Sequence, residues 1–246
     1  RNLVALATLF YDIKHRFRGS RLARKLLEIA FLTSLYKCSK MARLSGGSWP
    51  VPKYWIPQRH LEVNVYVAFL RSLQRICKFL NNHNKLFPVK LGAPSRVLRG
   101  RANLAILQCD ARHLPLPDQC IDYVITDPPM FDEVQYLELS YFYLAWLGIK
   151  PPFEKEIVVN PARGINEQTY FCMLEEAMRE IHRVLKDGKE FTIIIHDKHG
   201  LVHEITSRAE NLGFRLIKSE LHERERALNR RLGVQHEYYL TFKKVS

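Results

Sequence analysis

Apolar residues recur every three to four positions along most of the first 80 residues of the chain. This spacing indicates amphipathic helices, because residues three and four apart share one face of a helix. Gly19 and Ser20 interrupt the pattern, and a serine just before an apolar series is a typical helix cap. The pattern predicts three helices, over residues 2–18, 21–41 and about 60–80.

After residue 96 the pattern changes to short apolar runs separated by helical patterns. The helical patterns lie at about 133–147, 167–185 and 201–212. The short runs predict strands at 104–109, 121–126, 191–196, 214–218 and 238–242. Strands that alternate with helices are typical of a parallel, doubly wound α/β sheet, which binds ligands at the carboxyl ends of its strands. The sequence therefore predicts a Rossmann-like α/β domain over residues 91–246, preceded by a helical segment over residues 1–90.

Glycines and prolines interrupt residues 45–58 and predict an ordered loop. The loop carries Trp49, Tyr54 and Trp55 next to basic residues. Aromatic side chains beside cations can stack on nucleic-acid bases. Anchoring of the loop in the core is an equally good interpretation of the same residues.

Positive charge is concentrated in the first part of the chain. Residues 1–100 hold 19 Lys and Arg against Asp12, Glu28 and Glu62, a net charge of +16, whereas residues 101–246 have a net charge of −3. A charge distribution of this kind is typical of a protein that binds a polyanion, and we expect the partner to be DNA. The alternative is a basic surface with no partner.

Composition narrows the class of protein. The hydrophobic fraction of 47% and the charged fraction of 26% are ordinary for a globular protein. No apolar run approaches the roughly 18 residues of a membrane-spanning helix, and no signal peptide is evident, so a cytoplasmic location is expected. The five cysteines are scattered without CxxC spacing, which favours reduced thiols over disulfides or a zinc site.

The clearest chemical motif, Asp127-Pro128-Pro129-Met130, follows the predicted strand at 121–126. It resembles the D-P-P-Y motif of DNA amino-methyltransferases, which methylate adenine N6 or cytosine N4. An exocyclic amine is a poor nucleophile because its lone pair is delocalised into the ring. The Asp127 carboxylate and the Pro128 carbonyl could each accept one N–H bond, hold the nitrogen tetrahedral and stabilise its developing positive charge. A strand-ending turn without chemistry is the alternative for so short a motif.

Met130 stands where the family has an aromatic residue that stacks on a base flipped out of the duplex. A thioether can contact the face of a ring. The adjacent Phe131 is a second candidate for this stacking role.

The residues before the turn extend the resemblance. Cys109 to Pro115 and Pro117 to Asp122 are similar to the family's D-A-x-x-L-P and D-x-x-I-D stretches. The resemblance implies that Asp110 accepts a hydrogen bond from the adenine of the cofactor S-adenosylmethionine, that the Ala111 N–H addresses the adenine ring, and that Asp127 also borders the cofactor. The alternative role for Asp110 is a turn cap.

Two downstream stretches also match, and one expected element does not. Residues 135–148 resemble the family's Q-Y-x-E-L-S…W-L helix, and residues 180–188 resemble its E-x-x-R-V-L-K-x-G turn, which is structural in character. The family's glycine-rich F-x-G-x-G cofactor loop has no counterpart in the sequence. We expect that loop to lie N-terminal to Arg1 or in a partner chain.

His196-Asp197-Lys198-His199, at the end of a predicted strand, could suggest a metal site. No further ligands lie at a fixed spacing from these residues. A polar loop at the strand end is the favoured interpretation.

The sequence therefore predicts an enzyme, a fragment or subunit of an S-adenosylmethionine-dependent DNA methyltransferase. A prokaryotic restriction-modification or defence setting, associated with the nucleoid, is expected. One alternative is an RNA guanine-N2 methyltransferase, since those enzymes use similar Pro-Pro motifs. Another is a non-catalytic DNA-binding remnant, which the missing loop and Met130 favour.

Overall fold

The structure is a computed structural model that describes residues 1–42, 56–83, 88–196, 200–225 and 234–245. The chain forms two compact units. One unit contains Arg1–Pro88 and Tyr136–Pro151, and the other contains Val89–Gln135 and Pro152–Ser246. We call the first the helical unit and the second the sheet unit.

The described residues form helices and strands in two stretches of different character. The α-helices are α1 (Asn2–Tyr11), α2 (Arg21–Leu35), α3 (Val65–His83), α4 (Pro94–Leu98), α5 (Tyr136–Leu147), α6 (Glu167–Val184) and α7 (Leu201–Asn211). The strands are β1 (Ile121–Thr126), β2 (Leu185–His196), β3 (Phe214–Glu225) and β4 (Val234–Lys244). Among the described helices, none is both long and apolar enough to cross a membrane.

Side-chain caps place the helix starts of the helical unit. The Ser20 hydroxyl accepts a hydrogen bond from the Ala23 N–H at 3.2 Å and begins α2, as the Gly-Ser break predicts. The Asn64 side chain accepts from the N–H groups of Tyr66 and Val67 and begins α3. The first predicted helix is not uniform, because α1 passes into a π-helical turn over residues 12–16.

An aromatic cluster forms the core of the helical unit. Phe31 on α2 is fully buried, and its ring centroid lies 4.8 Å from that of Phe10 and 5.2 Å from that of Trp146 on α5. Phe142 packs against the same cluster. This apolar contact explains why α5 belongs to the helical unit, although the sequence predicts a single boundary near residue 90 and assigns α5 to the sheet domain.

The sheet has the order β1-β2-β4-β3. β1 and β2 are parallel, with α6 in the crossover between them, whereas β4 is antiparallel to both β2 and β3. The α/β prediction is confirmed, and three predicted strands are found in longer form as β2, β3 and β4. The expectation of a parallel sheet holds for β1 and β2 but is wrong for β4. Only eight residues separate β3 from β4, and a parallel connection needs about a dozen or more.

The strand predicted at 104–109 does not form. Its pairing is limited to one isolated bridge between Leu91 and Leu104, and Ile106 is 78% exposed. A run of apolar residues becomes a strand only where a neighbouring strand satisfies its backbone groups, and the described part of the chain provides no ladder here.

The core of the sheet unit lies between the sheet and helices α6 and α7. Asn166 caps α6 by accepting from the Thr169 N–H at 2.9 Å. Helix α6 then buries an apolar face that includes the fully buried Tyr170. The ring of Phe191 on β2 stacks on that of Phe242 on β4 at 5.0 Å. Met130 and Phe131, from the turn that follows β1, belong to the same buried cluster.

Candidate active site at the Asp-Pro-Pro turn

The Asp-Pro-Pro turn begins where β1 ends. Thr126, the last residue of β1, pairs with Ile193 of the parallel strand β2, so Asp127 emerges at the carboxyl edge of the parallel pair. Ligands of α/β sheets bind at this edge. Asp127 is exposed and Pro128 is half-buried.

Hydrogen bonds hold the second half of the turn through three consecutive carbonyl groups. The Pro129 carbonyl accepts from the Tyr170 hydroxyl at 2.8 Å. The Met130 carbonyl accepts from the Glu133 N–H at 3.0 Å, and the Phe131 carbonyl accepts from the Val159 N–H at 2.9 Å. Each bond comes from a different part of the sheet unit, which fixes the path of the backbone.

The first half of the turn is different. Within the described ranges of the chain, the carboxylate of Asp127 and the carbonyl of Pro128 accept no hydrogen bond. Both are acceptors without a hydrogen of their own, and Pro128 has a φ angle fixed by its ring. The turn therefore offers two adjacent acceptors at the sheet edge where a ligand is expected.

The side chains predicted to stack on a base lie in the core. Met130 is 8% exposed and Phe131 is 7% exposed, and the Phe131 ring packs against Tyr170 and Phe171 with centroids 5.1 and 5.5 Å away. Phe131 also has a φ angle of +44°, a conformation that is strained for a bulky residue. This backbone direction turns the aromatic ring inward, so neither side chain is placed for stacking on a base in this structure.

A pair of side-chain amides supports the turn from the other side. The Gln135 Nε2 donates to the Val159 carbonyl at 3.0 Å, and the Asn160 Nδ2 donates to the Gln135 Oε1 at 2.9 Å. Gln135 lies in one of the motifs matched in the sequence, but the sequence suggests no role for it. Its contacts join residues about 25 positions apart, and a local motif does not reveal such contacts. A buried amide network of this kind rigidifies the backbone that it connects.

Asp110, the predicted cofactor contact, is engaged by its neighbour. Its two carboxylate oxygens accept hydrogen bonds from the Nε and Nη2 of Arg112 at 3.0 and 2.9 Å. These bonds lower the pKa of Asp110 to about 2, so the carboxylate stays ionised at neutral pH. Ala111 is exposed beside it. Asp110 and Asp127 share the sheet unit, but no hydrogen bond or ion pair joins them within the described residues.

Arg183 on α6 anchors the segment between these two aspartates. Its guanidinium donates to the carbonyls of Leu114 and Leu116 at 3.0 and 2.9 Å and pairs with Asp118 and Glu180. The hydrogen bonds from Arg183 lower the pKa of Glu180 to about 2. The structural role expected for the motif around Arg183 matches this arrangement.

His196 lies at the end of β2 between two carboxylates. Its Nδ1 is 3.6 Å from the Glu133 Oε2, and its Nε2 is 3.6 Å from the Glu237 Oε1. Over the parts of the chain that the structure describes, no group of three or more His, Cys, Asp or Glu could hold a metal ion. Residues 197–199 lie outside the described residues.

Comparison with known proteins gives partial likenesses only. No protein-family model matches the chain, and no curated protein sequence matches it. A candidate DNA modification methylase from Thermus thermophilus, complexed with S-adenosyl-L-methionine, is 19% identical with a TM-score of 0.35 over 56% of this chain and 51% of that chain. A SAM-dependent methyltransferase from Methanosarcina mazei is 11% identical with a TM-score of 0.34 over 58% of this chain and 68% of that chain.

A third solved structure shows a different chemistry. The [4+2]-cyclase SpnF is 13% identical with a TM-score of 0.33 over 88% of this chain and 96% of that chain. This chain spans about half the length of the Thermus protein. All three TM-scores lie below 0.5, and similar folds can carry unrelated chemistry. The function must be argued from the site.

The basic surface of the helical unit is the second functional candidate. Arg18, Arg21 and Lys25 are exposed, and no acidic side chain pairs with them among the described residues. Arg21 and Lys25 are four residues apart on α2 and share one face. The loop aromatic residues Trp49, Tyr54 and Trp55 lie outside the described residues.

Proposed function

We propose that this chain supplies the methyl-acceptor site of an S-adenosylmethionine-dependent methyltransferase that acts on an exocyclic amino group of adenine or cytosine in DNA. One observation carries the proposal. Asp127 and Pro128 present two hydrogen-bond acceptors that nothing in the described chain occupies, while the next three carbonyls of the same turn are all bonded.

Two adjacent acceptors suit the chemistry of an aromatic amine. An amine that donates one N–H to the Asp127 carboxylate and another to the Pro128 carbonyl is turned so that its lone pair leaves the plane of the ring. The negative carboxylate also stabilises the positive charge that develops on nitrogen as the new bond forms. Because the turn is held in advance, little reorganisation is needed during the reaction.

Asp110 is suited to hold the adenine of the cofactor. Arg112 keeps its carboxylate ionised, and an ionised carboxylate has about four acceptor positions. Three of these positions are used by Arg112, two by its guanidinium and one by its backbone N–H. Asp110 would accept from the adenine amino group at a remaining position, and the adjacent Ala111 N–H would address the ring. When bound, S-adenosylmethionine supplies an electrophilic methyl group on a sulfonium.

DNA is the proposed substrate because of the helical unit. Its surplus of Lys and Arg over carboxylates leaves cations such as Arg18, Arg21 and Lys25 available for phosphates. Phosphate contacts supply most of the sequence-independent affinity of a protein for DNA. A prokaryotic restriction-modification or defence setting remains part of the proposal.

A non-catalytic DNA-binding protein is the second candidate. The burial of Met130 and Phe131 favours it, because the turn then presents no aromatic ring that could hold a flipped base.

The test is transfer of a labelled methyl group from S-adenosylmethionine to unmethylated DNA by the full-length protein or by this chain combined with a subunit that carries the glycine-rich loop. We expect N6-methyladenine or N4-methylcytosine in the hydrolysed product, and loss of transfer in Asp127→Ala. Salt-dependent DNA binding without any transfer would favour the non-catalytic candidate. Transfer to RNA alone would contradict the proposed substrate.

A further inference from the structure

Tyr170 occupies an unusual position behind the turn. It lies in the first turn of α6, its side chain is fully buried, and its hydroxyl donates to the Pro129 carbonyl at 2.8 Å. The rings of Phe131 and Phe171 lie 5.1 and 5.3 Å from its ring. A phenylalanine would make the same aromatic contacts, so the hydroxyl contributes through its hydrogen bonds to the turn, which involve the Pro129 carbonyl and the Phe131 backbone.

The hydroxyl is a permanent donor. Burial raises the pKa of Tyr170 to about 12, so the group stays protonated at neutral pH. Burying a hydroxyl without a partner is costly. The bond to the Pro129 carbonyl satisfies the hydroxyl and the carbonyl together.

Pinning the Pro129 carbonyl restricts the acceptors before it. The ring of Pro128 fixes its φ angle, and a residue that precedes a proline is kept out of the helical region of ψ. The remaining freedom of the Pro128 carbonyl therefore depends on how firmly the peptide that follows is held. Tyr170 holds that peptide from α6, across 41 positions of sequence.

We infer that Tyr170 is a positioning residue, whose hydroxyl fixes the Pro129 peptide so that the Asp127 carboxylate and the Pro128 carbonyl face one amine together. This inference rests on the proposed function and adds a residue to the same site. Tyr170 itself does not contact the amine. It acts through the backbone of the turn.

The experiment compares two tyrosines whose hydroxyls each donate to a backbone carbonyl. Tyr170→Phe removes the bond to Pro129. Tyr36→Phe removes a bond of 3.1 Å to the Met41 carbonyl in the helical unit and is the matched control. Backbone amide exchange is measured in both variants of this chain, and single-turnover methyl transfer is measured in the assay described for the proposed function.

We expect Tyr170→Phe to speed amide exchange at Met130, Glu133 and Val159, and to lower the methyl-transfer rate constant by roughly 10- to 100-fold, the scale of a small misplacement of a reacting group. The KM for S-adenosylmethionine and the affinity for DNA should change less than about twofold. Tyr36→Phe should leave the exchange at these amides and the rate constant unchanged, because its bond lies in the other unit.

The outcomes separate this inference from the proposed function. If the wild type and Asp127→Ala differ in rate but Tyr170→Phe matches the wild type, the inference is wrong and the proposed function stands. If the wild type transfers no methyl group, the proposed function fails, and amide exchange alone decides whether Tyr170 holds the turn. Exchange that is unchanged in Tyr170→Phe overturns the inference in either case.

Discussion

Charged side chains have different partners in the helical unit and in the sheet unit. In the helical unit the carboxylates of Asp12, Glu28 and Glu62 each have a cation within 3.5 Å. Residues 1–100, most of which belong to this unit, hold 19 Lys and Arg against these three carboxylates. In the sheet unit, ion pairs connect separate elements to one another. They include Arg112–Glu176, Arg183–Asp118, Lys186–Asp122, Arg208–Glu175 and Lys244–Asp187.

This difference separates charges that act within the fold from charges that are available to a ligand. The cations of residues 1–100 far outnumber the carboxylates of the same stretch, so a polyanion is the partner that their number favours. In the sheet unit most of the anchoring carboxylates are already paired. Asp127 has no hydrogen-bond or ion-pair partner among the described residues, which makes it stand out at the ligand-binding edge.

The largest effect is expected from Asp127→Ala. Removing one fixed acceptor at the reacting nitrogen should lower methyl transfer by about 10²–10³-fold, measured in single-turnover assays. DNA affinity should change little, since a carboxylate does not attract phosphate. Asp122→Ala is the control, because Asp122 lies on the strand that leads into the turn and is exposed but pairs with Lys186. Equal methyl transfer by the Asp127→Ala and Asp122→Ala variants would mean that the turn has only a structural role.

The second prediction concerns the exposed cations of the helical unit. Replacing Arg18, Arg21 and Lys25 together with alanine should weaken duplex DNA binding and reduce the slope of log affinity against log salt by roughly three, about one for each lost phosphate contact. Replacing Lys186 and Lys189, which lie near Asp122 in the sheet unit, should leave that slope unchanged. Equal slopes in the two variants would mean that the cations of the helical unit contribute no more to DNA binding than those of the sheet unit.

The third prediction tests a charge that acts within the fold. Lys244 is buried, and its Nζ donates to the Leu185 carbonyl at 2.9 Å and pairs with Asp187 at 2.9 Å. Lys244→Met leaves the buried carbonyl without this bond and should lower the free energy of unfolding by about 1–3 kcal/mol, read from urea denaturation. Lys189→Met, at an exposed site 3.8 Å from Asp122, should cost less than about 0.5 kcal/mol.

The sequence predicts the elements well where local signals and packing agree. Ser20 caps α2 as expected, and the helical pattern predicted at 167–185 is found as α6, which Asn166 caps. The strand predicted at 104–109 does not form because an apolar run shows only that the residues are hydrophobic. A strand also requires a neighbouring strand that pairs with its backbone groups. β4 is antiparallel to β3 because the connection between them is short. The alternation of helices and strands along the sequence does not take the length of this connection into account.

The candidate site could be predicted only in part for a similar reason. A motif gives residue types and spacing, and these direct attention to Asp127, which the structure places at the end of β1. The inward direction of the Phe131 ring depends on a positive φ angle, which an aromatic residue does not suggest. The support from Tyr170 and Gln135 comes through contacts between distant residues, which have no local pattern.

The smallest expected effect is the change in the free energy of unfolding with pH. Arg112 and Arg183 lower the pKa values of Asp110 and Glu180 to about 2, whereas the unfolded chain has values near 3.9 and 4.3. A carboxyl group whose pKa is lower in the folded state contributes stability above its unfolded pKa and loses it as the pH falls through its folded pKa. These pairs should therefore stabilise the fold above about pH 4 and lose that contribution between about pH 4 and pH 2.

Because water partly screens the pair of Asp110 with Arg112, we expect roughly 1 kcal/mol from it. Arg112→Gln should lower the free energy of unfolding by this amount at pH 6 and by almost nothing near pH 2, in urea denaturation at the two pH values. Arg179→Gln is the control, since Arg179 is exposed and its partner Glu175 lies one turn away on α6, and pairs of this kind contribute little. A loss of the same size at both pH values in Arg112→Gln would mean that Arg112 stabilises the fold through packing. The ion pair of Asp110, which Asp127 lacks, would then contribute no stability.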